Sequence, residues 1–310
     1  MIETSHSSTV ESQIGAQPQE VRDYIALLKP RVMSLVVFTG IAGLVVAPGE
    51  IHPFLAAVAI LCIAVAAGAA GAINMWYDRD IDAVMRRTQS RPIPQGKVAP
   101  AEALAFGVVL TLFSVLMMGL AINMMAAALL AFANLFYVFV YTIWLKRRTP
   151  YNIVIGGAAG AFPPMIGWVA VTGTIDLPSV LLFGLIFMWT PPHFWALALY
   201  RQGDYARAKI PMLPVVAGKR HTKWQMLIYT LLLIPVAVAR SAIGIVGPVY
   251  GVAALLVSLL FVFCAVRVLR SDDDRPAKQM FGFSIFYLFL LFALLIVDRA
   301  PGLIDMFAVS

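Results

Sequence analysis

Hydrophobic positions along this chain do not alternate with polar ones on a helical or strand period. They run in blocks of 17 residues or more, separated by short polar stretches. A block that long with no polar face suits a helix surrounded by lipid better than an amphipathic helix on a soluble core. Nine such blocks occur, at 32–48, 54–76, 101–121, 124–145, 151–171, 178–200, 224–240, 243–266 and 279–297. Inside a bilayer each segment must satisfy its own backbone hydrogen bonds, so the pattern predicts an all-α, polytopic bundle of nine transmembrane helices.

Composition agrees: 61% of residues are hydrophobic and 13% charged, with a mean hydropathy of +0.86. The polar residues 1–21 contain no apolar stretch of the kind a signal peptide needs. Glu3, Glu11 and Glu20 precede the first basic residue, against an Arg-rich transit peptide, so a disordered cytoplasmic tail is expected here. Residues 22–300 then form a single membrane domain, and 301–310 a short external tail. With the N-terminus in the cytoplasm, all but two of the 23 Lys and Arg residues fall on the cytoplasmic side; the exceptions are Arg240 and Arg299. That bias sets the orientation. It also accounts for the net charge of +7 without a nucleic-acid partner, because the basic residues line one membrane face. Cys62 and Cys264 lie inside predicted spans and form no spacing motif, so neither a disulfide framework nor a zinc site is expected.

Two connections, 77–100 and 201–223, are much longer than the rest. Each follows a span running outside to inside, and each begins with carboxylates. The first opens on Asn74-Met-Trp-Tyr-Asp78-Arg-Asp80-Ile-Asp82. On a helix Asn74, Asp78 and Asp82 fall at i, i+4 and i+8 on one face, and Asp80 points elsewhere. The second sets Tyr200 and Asp204 four apart. The two motifs sit four spans apart in the same orientation, which predicts two parallel four-helix repeats with a ninth helix added. Small-residue runs such as Gly68–Gly71 and Gly156–Gly160 allow close helix packing.

Ionisable groups at membrane depth are costly and mark functional sites. A column of oxygen donors at a membrane surface suits a hard divalent cation, Mg²⁺ in particular, which reaches its substrate through phosphates. Cations surround both motifs: Arg86, Arg87, Arg91, Lys97, Lys146, Arg147, Arg148, Arg201 and Lys209. Carboxylates amid concentrated Lys and Arg point to a polyanion bridged by metal and clamped by basic groups, with an apolar tail that explains the membrane setting. Simpler readings exist for single elements. Asp82 and Arg86 fit a helix-end ion pair, Lys146-Arg-Arg148 a topological anchor, and Asp272-Asp-Asp274 a solvated turn. Pro191-Pro192-His193 is expected to interrupt its span and free backbone carbonyls, which makes His193 either a cavity residue or a packing histidine at a kink.

These motifs resemble the UbiA superfamily of intramembrane prenyltransferases over about residues 22–300. The superfamily pattern is the pair of Asp motifs at helix ends, with Lys29-Pro-Arg31 before the first span. Met85-Arg-Arg-Thr88, Arg91-Pro-Ile-Pro94, the stretch Tyr141–Pro150, Asn152–Gly157, Pro191–Ala198 and Ile210-Pro-Met-Leu-Pro214 resemble its haem-farnesylating branch. Tyr200 stands where aromatic-ring prenyltransferases often carry Asp, which leaves fewer carboxylates.

The resemblance implies an active site at the cytoplasmic face of a bacterial inner membrane. It implies Mg²⁺ held by Asn74, Asp78, Asp82 and Asp204 on farnesyl diphosphate, with Arg86, Arg91, Lys146, Arg147 and Lys209 neutralising the diphosphate. Tyr200 would orient diphosphate or shield an allylic cation, and His193 would face the porphyrin. The acceptor implied is the 2-vinyl group of haem B, with a haem A synthase or oxidase-assembly protein as partner. Three other readings stay open on the sequence: prenylation of a quinone-precursor ring, a transporter, and a non-catalytic haem-handling protein.

Overall fold

The structure is a computed structural model and describes residues 20–308; most of the expected N-terminal tail, and residues 309–310, lie outside the described residues. Every element among the described residues is helical: α1 Val21–Leu27, α2 Pro30–Val46, α3 Pro53–Tyr77, α4 Arg79–Val84, α5 Pro100–Ala121, α6 Met124–Leu135 continued by a π-helical turn set Phe136–Leu145, α7 Asn152–Thr172, α8 Leu177–Tyr200, α9 Gln202–Arg207, α10 Leu213–Val216, α11 Gly218–Ala242, α12 Pro248–Arg270 and α13 Arg275–Ala308.

Among the described residues eight helices are long and apolar enough to cross a membrane, and nine when α1 and α2, bent by 55°, are taken as one span. The all-α polytopic bundle therefore stands as expected. Helices overshoot the apolar blocks where charged residues extend them. α11 begins at Gly218 rather than 224, its first turns carrying Lys219, Arg220 and Lys223. Such side chains reach the interface from within a helix, so the helix need not stop where apolarity does. α13 runs through residue 300 to Ala308, past the expected end of the membrane domain.

The expected interruption at Pro191-Pro192 does not occur, since α8 runs unbroken from Leu177 to Tyr200. Proline's fixed φ is compatible with a helix, but Pro191 and Pro192 leave the Phe187 and Met188 carbonyls without their i→i−4 donors and press their rings on the turn below. Next to them Thr190 adds a side-chain bond to the Ile186 carbonyl at 2.7 Å. α7 carries Pro163 and Pro164 in the same way.

The element order repeats. Two long helices, short helical pieces and two long helices (α2, α3, α4, α5, α6) are followed by the same sequence of lengths (α7, α8, α9 and α10, α11, α12), with α13 added. α3 packs on α5 as α8 packs on α11, and α2 on α3 as α7 on α8. The halves join where α2 crosses α7, and α13 closes the bundle against α2, α8 and α12. The α2–α7 crossing depends on glycine: a Cβ on Gly167 would overlap the Gly40 carbonyl oxygen, and one on Gly43 the Pro164 carbonyl. Close backbone approach of this kind favours association where lipid offers no hydrophobic drive.

Large apolar side chains point outward on the flanking helices, including Leu112, Leu116 and Leu120 on α5 and Leu256, Leu260 and Phe263 on α12. In water such a surface would aggregate; in a bilayer it faces lipid. The protein is a multi-pass membrane protein.

Candidate active site

One cavity of about 400 Å³ opens inside the bundle. Its deep wall is apolar, with Leu35, Val36 and Thr39 of α2, Ile63 of α3, Leu130 of α6, Pro163 and Ile166 of α7, and Leu288 of α13. Its mouth is charged: Lys29, Asn74, Asp82, Arg87, Arg91 and Lys146. Along α3 the wall runs from Ile63 to Asn74, which at 1.5 Å per residue is about 16 Å of depth.

Local sequence features build the mouth. Asn74 lies in the last turn of α3, and Asp78 ends that helix, its N–H donating to the Asn74 carbonyl at 2.9 Å. α4 starts at once, and the Asp82 N–H donates to the Asp78 carbonyl at 2.8 Å. The short break keeps the three oxygen-bearing side chains in the expected i, i+4, i+8 order. The segment after α4 is folded by turns such as Arg91 N–H to the Thr88 carbonyl, and it brings Arg91 back onto Asp82 at 2.6 Å.

From the opposite side, the π-helical register of α6 sets the Lys146 N–H on the Tyr141 carbonyl at 2.9 Å. π-turns often occur at functional sites. Here the register delivers Tyr137, Tyr141 and Lys146 to the cavity wall together. Gly156 of α7 makes room for the Tyr141 ring, which a Cβ there would overlap.

The mouth is a set of ion pairs. Asp78, fully buried, accepts from Asn74 Nδ2 at 2.7 Å, from Lys146 Nζ, and from Arg147 at 3.4 Å. Lys29 Nζ donates to Asn74 Oδ1 at 3.1 Å. Lys29 reaches it from a left-handed backbone conformation, φ 52°, directly before Pro30. A non-glycine residue there is strained, and such strain persists where function or packing demands it. Asp80 points away, as expected: its side chain is 62% exposed and pairs with Arg147 at 2.7 Å. That hydrogen bonding holds the Asp80 carboxyl below the usual carboxylate range.

The expected residues divide into those on the cavity wall and those off it. Asn74, Asp82, Arg91, Lys146 and His193 line the cavity, and Asp78 is buried directly behind Asn74 and Lys146. Arg147 sits at the side with Asp78 and Asp80. Arg86 and Lys209 are exposed and do not line the cavity. Asp204 is buried but pairs on its own helix with Arg207 and, at 4.0 Å, with Arg201. Tyr200 packs edge-on against Phe281, with Arg201 and Lys278 over its ring. Arg86 does not make the ion pair its spacing with Asp82 allowed, because Arg91 takes Asp82.

Two cations of the wall were not assigned to the diphosphate. Lys29 could have been found from its place in Lys-Pro-Arg before the first span. Arg87 was one of the cations around the motifs, and only the fold separates it from Arg86, bringing it to the wall, where it donates to the Tyr205 hydroxyl at 3.3 Å. Through Tyr205 it joins the first acidic motif to the segment holding Asp204. The Asp272–Asp274 run is a solvated turn, paired with Lys219 and Lys223.

Donor chemistry fits a hard cation: amide and carboxylate oxygens of Asn74, Asp78 and Asp82 with no thiol or imidazole among them. Among the described residues no three acidic, His or Cys side chains gather into a metal site. A cation held here would need further oxygens from a ligand, as Mg²⁺ commonly takes from phosphates.

A membrane bundle enclosing an apolar cavity, with a mouth of cations and hard oxygen donors, defines a protein that handles a lipid-tailed polyanion. The model of the UbiA prenyltransferase family matches residues 36–293, and the chain belongs to that family. It is 60% identical to "Protoheme IX farnesyltransferase" of Granulibacter bethesdensis over 286 residues, 89% of this chain and 90% of that one. It is 58% identical to the protein of the same name from Agrobacterium fabrum over 300 residues, 94% of this chain and 95% of that one. Among solved structures it resembles a digeranylgeranylglyceryl phosphate synthase at TM-score 0.75 and 20% identity, covering 90% of this chain and 98% of the other. It also resembles a UbiA homologue from Archaeoglobus fulgidus bound to GPP and Mg²⁺ at TM-score 0.63 and 16% identity, covering 89% and 99%.

Proposed function

We propose that the protein transfers the farnesyl group of farnesyl diphosphate to the 2-vinyl group of haem B, with addition of water, giving haem O and diphosphate. One observation carries the chemistry: a cavity about 16 Å deep along α3, apolar below and ringed at its mouth by Lys29, Arg87, Arg91 and Lys146. An extended farnesyl chain suits its depth and a diphosphate suits its mouth. The acceptor rests on the likeness to the named farnesyltransferases over most of the chain.

The C–O bond of the allylic diphosphate breaks and its electron pair leaves on diphosphate. Lys29, Arg87, Arg91 and Lys146 meet the leaving group, and Arg86, Arg147 and Lys209 add to the field from further out. Asn74, Asp78 and Asp82 would hold Mg²⁺, with Asp204 from the second motif; bound there, Mg²⁺ absorbs negative charge on the diphosphate. The terminal vinyl carbon forms the new C–C bond, and positive charge moves to the carbon beside the pyrrole. Water adds there and loses a proton, leaving a hydroxyethylfarnesyl group. No protein nucleophile is needed. The apolar wall excludes water from the allylic cation until capture. Tyr200, off the cavity wall, would act through the cations over its ring, Arg201 and Lys278.

The charge bias supports a cytoplasmic mouth with the N-terminus inside, and the likeness to bacterial relatives supports an inner-membrane location. A haem A synthase or oxidase-assembly protein would take the product within the bilayer. The confinement of charge to one end of the cavity disfavours a transport path, which needs polar groups through the span.

The test is an assay of purified protein with haem B, farnesyl diphosphate and Mg²⁺, read by mass spectrometry of the porphyrin. A haem heavier by farnesyl plus water, absent with EDTA, is the expected product. Unmodified haem from folded protein would overturn the proposal and turn attention to aromatic-ring acceptors.

A further inference from the structure

Midway down the cavity, the His193 ring is fixed on three sides. It stacks on Trp189 at 4.2 Å and 19°, on Phe281 of α13 at 4.7 Å and 24°, and meets Phe194 edge-on at 5.1 Å. Its Nδ1 lies 2.6 Å from the Ser284 hydroxyl oxygen. The same hydroxyl is 2.6 Å from the Phe281 carbonyl. With its single hydrogen given to that carbonyl, the Ser284 oxygen accepts from Nδ1–H, which leaves Nε2 with a free lone pair. The Ser284 carbonyl in turn accepts from Trp189 Nε1 at 2.8 Å, which locks the stacking partner to the same residue.

His193 lines the cavity, and among the described residues no hydrogen bond reaches Nε2. The ring is a neutral imidazole with one nitrogen anchored in the second helix and the other unused beside the cavity, which is how proteins prepare a histidine to bind a metal. The same fixed tautomer and orientation suit a proximal ligand to haem iron.

We infer that His193 Nε2 is an axial ligand to the iron of the haem acceptor, and that Ser284 is the positioning residue that fixes its tautomer. The inference rests on the haem-acceptor reading above and adds how the acceptor is held. His193 lies two turns of α8, about 10 Å, from Tyr200 at the helix end. Iron ligation at that depth would fix the centre of the porphyrin below the charged mouth, so that a vinyl edge can be presented to the farnesyl carbon bearing the diphosphate.

The full-length protein in nanodiscs would be titrated with ferric haem B and followed by absorbance and resonance Raman spectroscopy. Wild type should show an imidazole-ligated spectrum. His193→Gly should lose it and regain it when free imidazole is added. Ser284→Ala should keep the ligand but bind haem roughly 10-fold more weakly, as loss of such partners commonly does. Metal-free protoporphyrin IX should be farnesylated at least 10-fold more slowly than haem by wild type, and at a rate similar to haem by His193→Gly. A folded His193→Gly variant with the wild-type iron spectrum would overturn the ligation, even while wild type still makes the farnesylated product. Wild type that neither shifts the haem spectrum nor modifies haem would instead overturn the acceptor reading, and the inference with it.

Discussion

Replacing Asp78 with Asn tests whether the buried carboxylate acts in catalysis or only holds Lys146. The side chain keeps its shape and loses its charge. Asp78 is wholly buried and has three partners: Asn74, Lys146 and Arg147. Removing one member of a buried ion pair costs about 3–5 kcal/mol when the remaining charge stays trapped. Neither cation is trapped here. Arg147 keeps Asp80 at 2.7 Å, and Lys146 lines the cavity and can turn its ammonium into the mouth. The stability loss should therefore fall to about 1–2 kcal/mol, well below the trapped-charge figure. Catalysis should suffer more, because removing one electrostatic contact at such a site costs about 10²–10³ in rate. Farnesyl transfer and thermal unfolding would be measured on the same purified Asp78→Asn sample. The expected result is a rate at least 100-fold lower in protein that melts only a few degrees earlier. A rate within twofold of wild type would refute a direct role. Lys146→Gln and the double variant separate the two actions. If Asp78 only holds Lys146, the double variant is no slower than Lys146→Gln; if it also meets the substrate complex, the double variant is slower still.

Asp80→Asn is the matched control, two residues away and 62% exposed. It should change the transfer rate by less than twofold and stability by less than about 1 kcal/mol, since exposed pairs contribute little. Its carboxyl is held low by Arg147, so the small stabilisation is present above the unfolded value near 3.9 and is lost as pH falls through the lower folded value. The melting difference between wild type and Asp80→Asn should persist from pH 5 to 8 and disappear in stronger acid. Arg87→Ala should raise KM for farnesyl diphosphate about 10-fold, the loss of one charge-assisted contact, whereas Arg86→Ala, off the wall, should change it less than twofold; equal effects would contradict the placement. Mg²⁺ and inorganic diphosphate should bind cooperatively in calorimetry, each raising the other's affinity by the same factor. That coupling should shrink in Asp82→Asn, and independent binding in wild type would argue against a shared site.

The parts legible in the sequence are those set by local pattern. Block length gave each span its place because lipid demands a self-satisfied helix. The i, i+4 backbone bonds run from Asn74 through Asp78 to Asp82 as the spacing predicts, with Asn74 and Asp82 on the cavity wall and Asp78 buried behind it. Small-residue runs marked close approaches, and Gly68 does receive Leu28, with a Cβ there only 3.0 Å from the Leu28 Cβ. What stayed hidden depends on how distant segments fold back. Arg86 and Arg87 are adjacent, and only the turns after α4 decide which one enters the cavity. Asp82 had a partner at the favourable helical spacing and took Arg91 instead, because the chain stops being α-helical at Met85. Tandem prolines suggested a broken α8, but they cost the helix two N–H groups and it continues as one element to Tyr200.

The mouth pairs each oxygen donor with a cation: Asn74 with Lys29, Asp78 with Lys146, Asp82 with Arg91. Unpaired charges on a cavity wall inside a membrane would be costly, and these pairs offset that cost. They also make the site exchangeable. A metal diphosphate brings positive charge for the oxygens and negative charge for the cations, so pairs are traded rather than broken. A bare anion would satisfy the cations and strand the carboxylates, and a bare metal would do the reverse. On the proposed function, selectivity for a metal diphosphate over either part alone would follow from these ion pairs. Strain at Lys29 fits the same picture, since its left-handed backbone puts the ammonium on Asn74 at the turn where the chain enters the bundle.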